Sequence, residues 1–146
     1  MDYKDRELME LLCSDGKLTV LQLAKKTGIP PTTVHNRIKR MENEGIIRGY
    51  TAIIDRAKTG LPISAFILIT ISYEHATAHK LFQQGIAETI RKMPGVDHSS
   101  IVTGATDILI KVNLESLNAL NEFLIEKLRN VNGIDKTQTL VILKEF

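Results

Sequence analysis

A single cysteine, Cys13, among 146 residues excludes an intrachain disulfide framework and a thiolate zinc cluster. The spacing puts this thiol beside a helix end, where it reads as a small, partly buried residue rather than a nucleophile, because no histidine base accompanies it. Tryptophan is absent and aromatic residues make up only 5% of the chain, too few for platforms that stack unpaired bases. The longest apolar run, Ala65–Ile69, is far below the roughly 20 residues that cross a bilayer. The opening residues, Met1-Asp2-Tyr3-Lys4-Asp5-Arg6, do not read as a secretory leader. No GxGxxG, GxxxxGK[ST] or GxSxG motif occurs, and no acid, base and nucleophile stand together. His75 and His79 lie four apart without a convincing third ligand, which argues against a metal site. These absences predict a soluble, cytoplasmic protein that is not an enzyme and needs no cofactor or metal.

What the chain does have is unevenly placed charge. The net value is only +2. Residues 1–60 carry 11 Lys/Arg against 8 Asp/Glu, whereas residues 61–146 carry 8 against 9. Between Lys17 and Lys58 nine basic residues face three acidic ones, so the positive charge gathers in one segment.

That segment contains a helical pattern with two unlike faces. On residues 31–41, Val34, Ile38 and Met41 fall on one side. Thr32, Asn36, Lys39 and Asn43 fall on the other, with Thr33, His35 and Arg40 at its edges. Hydroxyls, an amide and cations are the groups that reach phosphates and base edges in a major groove. Arg37 lies between the faces and suits either a phosphate clamp or a structural ion pair. Upstream, Asp2 or Asp5 can open a first helix carrying Leu8, Leu11 and Leu12, which Ser14-Asp15-Gly16 ends. Thr19 and Gln22 form a capping-box pattern for a second helix with Val20, Leu23 and Ala24 inward and Lys25 and Lys26 in its last turns. Thr27-Gly28-Ile29-Pro30 is a tight break and Pro31 suits a first helical turn. Helix, glycine turn and polar-faced helix make a helix-turn-helix signature, although a small α-hairpin with a solvated charged face has the same spacing. Gly45 can end the third helix, and residues 46–55 read as an extended stretch, a short wing or a link. Lys58–Pro62 reads as a boundary loop.

The remainder follows the order β-α-β-β-α-β. Residues 63–73 alternate, with Ile63, Ala65, Ile67, Ile69, Ile71 and Tyr73 on a core face. The opposite face is also apolar at Phe66 and Leu68, which calls for cover by a second subunit. Residues 78–93 predict a helix with Leu81, Phe82, Ile86, Ile90 and Met93 inward, and Gly85 within it suggests close packing. Strands are expected at 96–102, 107–112 and 135–143, with a helix opened by Ser116 that turns Leu117, Leu120, Leu124, Leu128 and Val131 inward. The fold class is therefore α+β: a helix-turn-helix (winged-helix-like) head at residues 1–45, a strand or hinge linker at 46–60, and a ferredoxin-like βαββαβ domain at 61–146. Such a fold does not by itself identify a function. A small-molecule-binding or catalytic ferredoxin-like protein with an N-terminal helical assembly module stays open at this point.

Over essentially its whole length the chain resembles the Lrp/AsnC (leucine-responsive, feast/famine) family of regulators. The resemblance is carried by Leu23-Ala24-Lys25-Lys26-Thr27-Gly28-Ile29, by Thr32–Glu42 followed by Glu44-Gly45-Ile46-Ile47-Arg48-Gly49-Tyr50-Thr51-Ala52, and by Pro94-Gly95-Val96 and Thr103-Gly104-x-x-Asp107. One departure stands out. The family usually has serine or a similar capping residue where this chain has Pro30, so the start of the third helix depends on Pro30-Pro31 rigidity or on Thr33.

The resemblance implies a transcriptional regulator that binds double-stranded DNA at a pseudo-palindromic operator. It implies a homodimer joined through the ferredoxin-like domain, assembly into octamers, and an amino acid or related effector bound between dimers near the Thr103–Asp107 turn. Within that expectation Thr32, Thr33, His35, Asn36 and Lys39 approach bases or phosphates, and Arg40, Lys25 and Lys26 mainly hold phosphates. At the effector turn, Thr103, Gly104, Ala105 and Thr106 offer hydroxyls and open backbone, and Asp107 can accept an ammonium group. Thr137 and Thr139 share one strand face and can close the site. A plain glycine hairpin whose aspartate bonds its own backbone explains the same residues without a ligand.

Overall fold

Reciprocal caps open the first two helices of the chain, whose computed structural model describes residues 1–72 and 79–145, with residues 79–81 described by backbone alone. In α1 (Tyr3–Ser14) the Asp2 carboxylate accepts from the Asp5 N–H at 2.9 Å, and the Asp5 carboxylate accepts from the Asp2 N–H at 3.0 Å. In α2 (Val20–Thr27) Thr19 and Gln22 cap each other in the same way. Gly28, at φ 67°, closes α2 in the left-handed conformation and turns the chain into α3 (Pro31–Asn43). The start of α3 has no side-chain cap. Pro30 stands at the N-cap, Pro31 fills the first turn, and the Val34 N–H reaches the Pro30 carbonyl at 3.0 Å. Thr33 takes no part, so of the two means expected to fix this end the proline backbone is the one used. Leu8, Leu23, Ala24, Ile29, Val34 and Met41 form the buried core of this head, with Ile38, Leu11 and Leu12 packed at its margin.

Two compact units divide the chain, Met1–Ile54 and Asp55–Phe146. The extended stretch expected at residues 46–55 forms no strand. A lone extended segment has no neighbouring backbone to bond with, and here only a 3-10 turn (Ala57–Thr59) precedes the sheet.

The second unit orders its elements as β1 (Ile63–Ile71), α4 (His79–Arg91), β2 (Val96–Ile101), β3 (Ile108–Leu114), α5 (Leu117–Glu122) and β4 (Ile134–Val141). All pairings are antiparallel, in the order β2-β3-β1-β4, which is the expected ferredoxin-like arrangement. One sheet face carries Ala65, Ile67, Ile69, Ile108, Ile110 and Val112, and these share a core with Ile86, Ala87 and Ile90 of α4. Gly133, at φ 97°, enters β4 under α4. A Cβ there would lie 2.5 Å from the Phe82 ring.

Three details differ from the sequence reading. A π-helical turn, Phe123–Leu128, continues α5. Upstream of it, Leu117 at the first position of α5 is 61% exposed, while Phe123, not expected inside, is 1% exposed, three residues on from buried Leu120. Gly85 has open space, not a close neighbour, where a side chain would begin. Cys13 lies on the outer side of α1 and is exposed. Tyr73, His75 and the start of the 78–93 helix lie outside the described residues, as do the side chains of His79 and Leu81.

Candidate nucleic-acid interface and effector turn

The outer face of α3 is built by burying its opposite face. Val34 and Met41 are wholly buried, and Thr32, Thr33, His35, Asn36, Lys39 and Arg40 are exposed. Lys25 and Lys26 are exposed at the C-terminal end of α2, where cations favour the helix dipole. Nothing among the described residues pairs Lys25, Lys26 or Lys39 with a carboxylate.

The arginines behave differently. Arg37 donates through one Nη to Asp2 at 2.7 Å and to Asp5 at 2.8 Å, so it is the structural ion pair of the two alternatives. Arg40, expected mainly to meet phosphate, donates through one Nη to the second carboxylate oxygen of Asp5 at 2.6 Å, and its Nε lies 3.9 Å from Glu44. Asp5 is buried between them. The Arg37 hydrogen bond, with the Asp5 N–H behind it, holds the Asp2 carboxyl down at about 2. The N–H of Asp2 lowers Asp5 against the cost of its burial, with Arg37 adding to the same effect. Sequence reasoning missed this cluster because nothing local connects residues 35 apart. It also missed Tyr50, whose hydroxyl donates to Glu42 at 2.9 Å and ties the segment after α3 back to that helix. Burial, and then Glu42, push the Tyr50 hydroxyl up.

In the second unit Thr103, Gly104 and Ala105 are exposed at the β2–β3 connection, with Gly104 at φ 119°. Thr106 and Asp107 are half-buried. The Asp107 carboxylate does not close its own turn. It accepts from the Ile71 N–H at 2.8 Å and lies near the Gln83 amide, which donates to the Asp107 carbonyl at 3.3 Å. Asp107 thus braces α4 and the end of β1. Its N–H bonds the Ile69 carbonyl at 3.0 Å, and Ile69 stands opposite Thr137 on β4. Thr139, opposite Ile67, shares that sheet face two residues along. Thr137 is exposed and Thr139 half-buried. The turn lines neither of two clefts in this unit, one of about 390 Å³ between α4 and β2 and one of about 660 Å³ beside Phe82, Gly85 and Val131. Among the described residues no cluster of three His, Cys, Asp or Glu side chains is arranged to hold a metal, and no helix is long and apolar enough to cross a membrane.

Comparison with known proteins matches residues 1–48 to a winged helix-turn-helix DNA-binding family and residues 64–146 to the Lrp/AsnC ligand binding domain. An uncharacterised HTH-type transcriptional regulator of Pyrococcus furiosus is 40% identical over 141 residues, covering 97% of this chain and 91% of that one. A transcriptional regulator of Neisseria meningitidis, solved as a complex with L-Met, superposes with a TM-score of 0.88 at 28% identity, covering 99% of this chain and 91% of that one. AsnC of E. coli superposes with a TM-score of 0.81 at 28% identity, covering 99% and 93%.

Proposed function

The chain belongs to the Lrp/AsnC family of DNA-binding transcriptional regulators, and from that premise we propose that α3 is its sequence reader and that an amino acid or related small metabolite at the Thr103–Asp107 turn sets how it assembles on DNA. One observation carries the first half: Thr32, Thr33, His35, Asn36 and Lys39 are all exposed on α3 while Val34 and Met41 are locked in the core behind them. Asn36 offers the bidentate amide that suits an adenine edge, and the threonines and His35 add donors and acceptors. Lys25, Lys26 and Lys39 supply phosphate contacts, while Arg40 reaches phosphate only as far as its bond to Asp5 allows.

The second half has its support in the turn and the sheet. Gly104 leaves backbone N–H groups open to a carboxylate, and an ammonium group at Asp107 shares that carboxylate with the Ile71 N–H. The uncovered sheet face sets Phe66 beside Leu140 and Leu68 beside Leu109, an apolar stripe suited to a second copy of the chain. Two heads related by such a two-fold would read a pseudo-palindrome with half-sites about one helical turn, or a multiple of it, apart. The effector then acts by binding one assembly more tightly than another, such as a dimer against an octamer.

Selection of sites from a random DNA pool, with and without each amino acid, tests the whole reading. On the selected operator Asn36→Ala costs about 1–3 kcal/mol and relaxes one position. Wild-type affinity in both Asn36→Ala and Lys39→Ala would remove α3 as the reader. For the effector, an amino acid at a hundredfold excess over its Kd raises stability by about 2.7 kcal/mol. A panel of amino acids that leaves the thermal transition of the wild-type protein unmoved would remove that half.

A further inference from the structure

Asp2, Asp5, Arg37 and Arg40 put two carboxylates and two guanidinium groups in one hydrogen-bonded cluster on the flank of α3, with distances of 2.6–2.8 Å. We propose that Asp2 and Asp5 form a charge mask on α3, cancelling Arg37 and Arg40 so that the sequence-blind attraction of the head for DNA phosphate is left to its other cations. The inference rests on the reading of α3 as the DNA-facing helix.

The cluster is held where a mask must be. Arg37 follows Thr33 by four positions and Arg40 follows Asn36 by four, so each guanidinium stands one turn along from a residue assigned to DNA. The side chain of Arg40 is 48% exposed and that of Asp2 55%, so the cluster reaches solvent at the edge of the outer face of α3. Asp5 is buried and cannot be swapped for solvent. Both carboxylates are also the two halves of the α1 capping box, so they are fixed by backbone N–H groups whether or not DNA is present. The depressed Asp2 carboxyl keeps the mask ionised at any pH where DNA binding is measured. Glu44, beside the Arg40 Nε, adds a further negative group. Sequence-blind affinity grows with the number of phosphates neutralised, and base-edge contacts do not. A head in which Arg37 and Arg40 are cancelled therefore depends more on what Asn36 and its neighbours read.

Asp2→Asn is the informative variant. Asparagine caps a helix about as well as aspartate, so the box around Asp5 stays closed while one positive charge is unmasked. Asp2→Ser, an equally good cap, is the second variant, and thermal melts confirm that both heads fold. Binding of the full chain to random-sequence DNA is measured from 50 to 200 mM salt. The expected result is a slope of log K against log salt steeper by about 0.9, so that the gain over wild type is roughly three- to fourfold larger at 50 mM than at 200 mM. Glu10→Gln, an exposed carboxylate on α1 outside the cluster, controls for net charge and leaves the slope unchanged. An unaltered slope in both Asp2 variants, or an equal shift in Glu10→Gln, overturns the mask. Asn36→Ala on the selected operator separates the two readings. If it weakens binding while the Asp2 variants do nothing, the mask alone fails, and if it has no effect, the assignment of α3 fails.

Discussion

Replacing Phe123 and, separately, Leu117 by alanine sets the observed burial of the α5 helical segment against simple periodicity. The 3.6-residue pattern places Leu117 inside and gives Phe123 no special role. The structure reverses this: Phe123 is 1% exposed in the core with Leu120 and Leu128, and Leu117 is 61% exposed. Truncating a buried phenylalanine removes its transfer free energy and leaves a cavity, about 3–5 kcal/mol together. Truncating a mostly exposed leucine changes stability by about 0.5 kcal/mol or less. The first loss is a large share of the ~5–15 kcal/mol that holds a typical domain. Urea unfolding followed by circular dichroism reads both variants, because midpoints remain measurable where a thermal transition would fall by on the order of 10–40 °C. A Leu117→Ala loss equal to or greater than that of Phe123→Ala would mean that Leu117, not Phe123, faces the core, and the burial assigned along α5 would be wrong.

Two further tests bear on the head. Pro30→Ser adds a side-chain cap to α3, a gain of about 1 kcal/mol, but frees the unfolded chain, a loss of about 0.4–1 kcal/mol, so urea unfolding is expected to shift by no more than ~0.5 kcal/mol. A gain above ~1 kcal/mol would show that proline rigidity contributes nothing there. Asp2 has its pKa lowered on folding from 3.8 to about 2, so between those values the unfolded chain binds more protons. Its contribution is complete above about pH 4 and lost as pH falls toward 2. The acid limb of stability is expected to flatten in Asp2→Asn, and an unchanged limb would place the acid sensitivity elsewhere.

Much of the fold is legible wherever its signal is local. Thr19 and Gln22 announce α2 because a capping box needs only four consecutive positions. The long alternation of β1 reads correctly because one face of a strand repeats every second residue, and its burial follows that rhythm from Ala65 to Ile71. The exposed face of α3 is legible for the same reason. What stayed hidden depends on distance or on irregularity. The pairing of Asp5 with Arg37 and Arg40 joins residues more than thirty apart. Asp107 reads from sequence as a turn residue or ligand group, while its bond to the Ile71 N–H requires knowing that β1 lies beside β3. The strand expected at residues 46–55 fails because extended backbone in a sequence does not supply a partner.

Among the described residues the two hydrophobic clusters have no member in common, one ending at Ile47 and the other starting at Ile63. A change of amino acid on α3 therefore has its packing consequences among Leu8, Leu23 and Met41, and a change at the Thr103–Asp107 turn has them around Ile69 and Ile108. On the proposed reading of α3 and of the turn, operator preference and metabolite preference rest on different cores and can drift separately. If the turn does hold a metabolite, a lineage could keep one sensor and try many addresses on the chromosome, or keep one address and retune what it listens for.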